Sequence, residues 1–145
     1  MEWLTEKAVE LGVASLTFYV SDRTERKNIN PGKLSKVAIS ALKQSGRCWL
    51  PDITGPVTFL EALNINHPQK FVASLEQEHR TSLLQNFRVN EASAVLIGPE
   101  GDFTPREMKM ALDKGYAPVT LGKYTLRSET AALAALMTVT LASRH

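Results

Sequence analysis

Cysteine is almost absent. Cys48 stands alone in a chain of 145 residues, which excludes an intrachain disulfide and any zinc site built on several thiolates. Cys48 itself reads as a small buried or half-buried side chain, and no metal centre is expected. Long apolar runs are missing too: no window holds the roughly 18 apolar residues that a membrane-crossing helix needs. The N-terminus, MEWLTEKAVELGV, places acids early and lacks a basic-then-apolar order, so it does not have the form of a secretory signal. A cytoplasmic location is the expectation. There are no internal repeats, no low-complexity tails and no linker, so one domain is expected over residues 1–145.

A strong charge of either sign is also lacking. Lys and Arg number 17 and Asp and Glu 15, a net charge of +2, too mild to demand a nucleic-acid partner. The distribution is less even. SDRTERK (Ser21 to Lys27) and the series Lys33, Lys36, Lys43, Arg47 gather cations in the first third. That pattern fits a phosphate-facing surface or a solvated helix face, and charge alone favours the solvated face.

What is present is an alternation of strand-like and helix-like segments. Glu2 to Leu11 has Trp3, Leu4, Ala8 and Leu11 at helical spacing, with Gly12 as a stop. SLTFYV (Ser15 to Val20) is β-branched and aromatic, the pattern of a strand. Lys33 to Ser45 carries Leu34, Val37, Ala38, Ala41 and Leu42 as a helical stripe ended by Gly46. Trp49 to Pro56 is rich in turn residues and reads as an irregular connection, with a short helix over Val57 to Leu63. KFVASL (Lys70 to Leu75) is a second strand, Glu76 to Phe87 mixed helix and loop, and Ser93 to Ile97 a third strand. Thr104, Pro105 and Glu107 spell a capping box at the head of a helix running to about Lys114. Pro118 to Leu121 is a fourth strand, and Glu129 to Ala142 a very apolar last helix. The alternation predicts an α/β fold with a mainly parallel sheet.

In such sheets ligands sit beyond the carboxyl ends of the strands. Three strand ends carry unusual sequence: ASLE at Ala73 to Glu76, IGPEG at Ile97 to Gly101, and LGKYTLRSET at Leu121 to Thr130. Glycine at 98 and 101 permits close backbone approach or positive φ, and the peptide N–H groups near Gly101 could bind an anion. The stretch is neither a P-loop nor a dinucleotide fingerprint, and a plain tight turn accounts for it equally well. In LRSETAAL, capping explains Ser128 and Thr130, and Glu129 suits the helix dipole. Arg127 does not: a cation before a helix N-terminus faces the positive end of the dipole, which argues for a partner.

Taken in order, MEWLTEKAVELGV, SDRTERK, ALKQSGRCWLPDI, VLIGPEGDFTPREM and LGKYTLRSETAAL resemble the RsmE family, the ribosomal RNA uridine-N3 methyltransferases of the SPOUT superfamily. The resemblance covers nearly the whole chain. It implies a deep C-terminal trefoil knot, S-adenosylmethionine as cofactor, small-subunit (16S) ribosomal RNA as substrate and a homodimer. By resemblance, the first strand end would contribute Ser74 and Leu75 to the cofactor. The second would contribute Ile97, Gly98, Pro99, Glu100 and Gly101. The third would contribute Leu121, Gly122, Leu126, Ser128, Thr130 and Ala131. The family chemistry implies Arg127 as the electrostatic group at uracil and Glu129 as proton acceptor or orienter, although Glu129 reads equally as a dipole-complementing residue. Arg23, Arg26, Lys27, Arg47 and Lys123 are the expected RNA contacts.

Three positions depart from the family pattern. Asp102 stands where GPEGG is usual, and Lys123-Tyr124 stand where Pro-Arg is usual. The family normally carries an N-terminal PUA-like β-barrel before the residues matching Glu2-Trp3, whereas this chain starts at the catalytic domain. Two further readings stay open at this stage: a non-catalytic knotted module that binds S-adenosylmethionine or RNA, and a methyltransferase of another RNA.

Overall fold

Helix α1 (Glu2–Glu10) buries Leu4, Thr5, Ala8 and Val9, and this face packs on α2 (Pro31–Ser45) through Leu34, Ala38 and Ala41. The α2 helix starts at Asn30, whose side chain accepts from the Lys33 N–H, and ends at Gly46 in the left-handed conformation, the geometry that glycine adopts without a Cβ penalty. The computed structural model describes residues 2–23, 30–46, 49–74, 81–99, 102–122 and 126–143.

Strand β1 (Ser15–Val20) pairs in parallel with β2 (Asp52–Thr58). A second sheet, all parallel, has the order β4 (Thr81–Ser82), β6 (Ala117–Thr120), β3 (Gln69–Ala73), β5 (Ser93–Ile97). The expected parallel α/β architecture is therefore the one observed. Alternation along β3 distributes its side chains between two cores. Phe71 packs with Leu83 of α4 (Leu83–Asn86), with Val119 and with Ala135 of α6 (Ser128–Ala142). Val72 packs with Phe59 and Leu63 of α3 (Phe59–Leu63), with Leu96, and with Ala111 of α5 (Pro105–Asp113). Helices thus cover both faces, as a parallel sheet requires. No helix among the described residues is long and apolar enough to cross a membrane.

Two segments depart from the sequence reading. Trp49 to Pro56 is not an irregular connection, nor Val57 to Leu63 all helix: Asp52–Thr58 is a strand, and only Phe59–Leu63 is helical. The Gly-Pro pair that reads as a turn sits inside this strand, with a cis Gly55-Pro56 bond and a register shift opposite Thr17/Tyr19. Proline is tolerated in a strand at edges and bulges, and among the described residues β2 has β1 as its one neighbour in its sheet. Gly55 is required there, since a Cβ would lie 2.4 Å from the Phe18 carbonyl oxygen. Within Glu76 to Phe87, the pair Thr81–Ser82 forms β4, too short for any periodicity to register.

Candidate active site at the strand ends

The register of the second sheet brings the three unusual strand ends together. Ala73 pairs with Ile97 on one side and with Val119 on the other, so β5, β3 and β6 finish side by side at one edge. The buried Ser74 continues the β3 contact, its N–H donating to the Val119 carbonyl at 3.3 Å. Ile97 is half-buried against the α6-side core, and its carbonyl accepts from the Tyr19 hydroxyl.

The turn that leaves β5 is built on packing. Gly98 is not among the glycines with positive φ. A Cβ placed there would meet the Phe103 ring at 2.9, 3.1 and 3.2 Å, and Phe103 is part of the core with Phe59 and Leu96. The half-buried Pro99 offers its carbonyl to the Asp102 N–H at 2.8 Å, which closes the turn. Asp102 has φ 61, a left-handed conformation that glycine takes freely and aspartate tolerates. That geometry explains why glycine suits this position. Thr104, Pro105 and Glu107 then form the predicted capping box of α5.

The third segment joins the second. Ser128 was expected to cap α6; instead its hydroxyl donates to the Gly98 carbonyl at 2.7 Å. The N-cap is Arg127, which has no capping bond from its side chain and is exposed. Leu121, Leu126, Glu129 and Ala131 are half-buried and Gly122 is exposed. Gly122 has φ 154, with no atom of the described residues within 4 Å of where a Cβ would point, and Thr120 Oγ1 holds it by bonds to its carbonyl and N–H. Thr130 is exposed and lines a groove between α6 and α1, together with Trp3, Leu11, Leu133 and Met137. Leu75, Glu100, Gly101, Arg26, Lys27, Arg47 and Lys123 lie outside the described residues.

Arg23 is exposed just beyond the C-terminal end of β1. Asp52, the first residue of the strand that follows Arg47 in sequence, pairs with Ser15 at the opposite end of β1, so Arg23 and that strand entry belong to different edges. Three residues went unremarked in the sequence. Tyr19 is held in its neutral form, pushed up by burial first and then by the Glu107 and Asp102 carboxylates. Asp22 is held low chiefly by its hydrogen bond from Arg106. Phe103 sets the steric limit at Gly98. The capping-box pattern announced Glu107 as a helix residue; nothing in it announced the bond from the Asp22 N–H to its second oxygen, at 3.0 Å.

The edge thus presents strand-end backbone beside half-buried apolar side chains, with a cation and a carboxylate at the first turn of α6. In open parallel sheets this edge, beyond the carboxyl ends of the strands, is where ligands sit. A family model described as an RNA methyltransferase domain matches residues 1–140. The chain belongs to the RNA methyltransferase domain family. A crystal structure of a probable rRNA-methyltransferase from Porphyromonas gingivalis superposes with TM-score 0.93 and 35% identity, covering 99% of this chain and 62% of that one. A ribosomal RNA small subunit methyltransferase E from Neisseria gonorrhoeae, solved bound to S-adenosyl methionine, gives TM-score 0.84 and 32% identity, over 97% and 60% of the two chains. The protein of that name from Rickettsia conorii is 29% identical over 141 residues, 95% of this chain and 58% of its own length. The chain spans about three-fifths of the length of these relatives.

Proposed function

We propose that the strand-end site binds S-adenosylmethionine and directs its methyl group to N3 of a uridine in small-subunit ribosomal RNA, within one SPOUT-type domain over residues 1–145. The observation that carries this reading is the convergence of three chain segments at one sheet edge, tied by the Ser128 to Gly98 bond. The Neisseria gonorrhoeae relative, bound to S-adenosyl methionine, supports the choice of ligand. The half-buried Ile97, Leu121 and Leu126 fit an adenosine. Ser74, Gly98 and Pro99 would line it from the other strand ends.

A deep trefoil knot is supported by the path of the chain. β3 separates β6 from β5, yet Ser128, which follows β6 in sequence, reaches Gly98 at the end of β5. A homodimer is supported by α6, apolar on every side, with Leu141 exposed and Met137 exposed beside the exposed Trp3 of α1. A helix without a polar face calls for burial on more than one side.

When bound, S-adenosylmethionine supplies an electrophilic methyl on a sulfonium. Uracil N3 becomes a good nucleophile only on losing its proton. Arg127 stabilises the negative charge that then develops on the uracil oxygens. Glu129 accepts the N3 proton on a carboxylate oxygen and passes it to solvent. Holding N3 in line with the methyl is the main service of the site, and Arg23 contributes by gripping a phosphate. The test is incubation of the protein with isotopically labelled S-adenosylmethionine and small ribosomal subunits from cells lacking the gene, followed by nucleoside mass analysis. Labelled 3-methyluridine is expected. Label in another nucleoside, or none, refutes the reading.

A further inference from the structure

Glu107 is 0% exposed, and both of its carboxylate oxygens are used. Oε1 accepts from the Thr104 N–H at 3.0 Å, which completes the capping box. Oε2 accepts from the Asp22 N–H at 3.0 Å, and this second bond does nothing for the helix. It reaches the turn that leaves β1. The same turn is held from its solvent side as well. Arg106 Nη2 donates to Asp22 Oδ1 at 3.1 Å and to Oδ2 at 2.9 Å, and Thr104 Oγ1 donates to Oδ2 at 3.2 Å. Asp22 is therefore tethered by backbone and by side chain to the head of α5. That head follows the buried Phe103, whose ring lies against Gly98 at the end of β5. The residue after Asp22 is the exposed Arg23, where the basic segment begins.

Resting on the function proposed above, we infer that Asp22 and Glu107 are positioning residues that hold the Arg23 turn in register with the head of α5 and with Phe103, which packs against Gly98 at the end of β5. An RNA strand gripped through Arg23 is thereby presented to the strand-end site at a set offset. Acids beside a polyanion are otherwise unfavourable, and that gives the inference a sign test. If Asp22 acted only through its charge, its removal would tighten RNA binding, the more so because Arg106 would be released as a free cation. If Asp22 orders the turn, its removal weakens RNA binding.

The experiment measures steady-state methylation of small-subunit ribosomal RNA, together with calorimetric S-adenosylmethionine affinity and thermal midpoint, for wild type and Asp22→Ala. The side chain is 44% exposed, so folding is not at stake. Loss of the ordering is expected to raise the KM for RNA about fivefold, the equivalent of one surface tether, with kcat and cofactor affinity unchanged. A second variant, Glu107→Gln, retains an N3 residue that can serve a capping box but sets an amide N–H₂ against one of the two N–H donors. It should also raise the KM for RNA, with a lower thermal midpoint. The pair Asp22→Ala and Arg23→Ala should be sub-additive in RNA KM, because the first acts through the second; a role in stability alone would make them additive. An unchanged or lowered KM in Asp22→Ala, or an additive pair, overturns the inference while leaving the proposed function standing. A wild-type protein that methylates no ribosomal RNA overturns both.

Discussion

A single methyl group added at Gly98 separates two explanations for that glycine. One is ligand approach, and the other is packing against Phe103. The backbone at Gly98 is not left-handed, so Gly98→Ala carries no conformational penalty, and the whole cost comes from the ring. The new Cβ would stand 2.9, 3.1 and 3.2 Å from three carbons of Phe103, against an ordinary carbon contact of about 3.5–4.0 Å. The ring cannot swing away freely. It is 5% exposed and lies 6.0 Å from the Phe59 ring at 52°, with Leu96 in the same core.

Overpacking of this kind costs about 1–3 kcal/mol, and replacing glycine by alanine returns about 0.4–1 kcal/mol through the unfolded state. The net loss is about 1–2 kcal/mol, or roughly 3–8 °C in thermal midpoint for a chain of this size. Urea unfolding and calorimetry read it directly. Phe103→Leu supplies the control: in that background the added methyl should cost nothing measurable, a coupling visible in a double-mutant cycle. A Gly98→Ala protein as stable as wild type, or one that loses the same amount with Leu at 103, refutes the packing account. Lost S-adenosylmethionine affinity at intact stability would give Gly98 to the ligand instead.

The parts of the fold that could be read from sequence were those in which local chemistry and tertiary environment agree. The capping box at Thr104 and Glu107, the glycine stop at Gly46 and the β-branched run Ser15 to Val20 each specify their element without reference to the rest of the chain. Strand β2 resisted because its sequence, DITGPVT, contains the two strongest turn residues. Only the parallel partner β1 and the space beside Phe18 make it a strand. At the site, sequence marked the three strand ends but not their adjacency, which is a matter of register: Ala73 opposite both Ile97 and Val119. Ser128 looked like a cap because serine before a helix usually is one. Its hydroxyl goes to Gly98 because α6, which follows β6 in sequence, begins beside the end of β5, a fact of topology that no local pattern encodes. The link from Glu107 to Asp22 escaped for the same reason, since its partners are 85 positions apart.

Arg127→Ala should keep the thermal midpoint and cofactor affinity of wild type while methyl transfer to RNA falls roughly 10²–10³-fold, as for a lost oxyanion donor; cofactor affinity that falls in step with activity would move Arg127 into the cofactor pocket. Met137→Asp, on the exposed face of α6 beside Trp3, should convert a dimer into a monomer by sedimentation, and a wild-type protein that is already monomeric at micromolar concentration would count against the interface. Tyr19 yields a prediction in alkali. Burial, then the Glu107 and Asp102 carboxylates, raise its phenol above the ordinary value of 10.0, so the folded protein keeps a proton that the unfolded chain gives up near that pH. Above it the unfolded state binds fewer protons. Stability is therefore full below the ordinary phenol range and declines as pH rises through it, by at most about 1.4 kcal/mol per pH unit for one group. Tyr116, also raised by burial, adds to the decline. Tyr19→Phe should cost about 1 kcal/mol at neutral pH, since the Ile97 carbonyl loses its donor. Its urea midpoint should then fall less steeply than that of wild type above the ordinary phenol value. Parallel slopes for the two proteins would mean that Tyr19 ionises alike in the folded and unfolded chains, and that the carboxylates at 102 and 107 exert no hold on it.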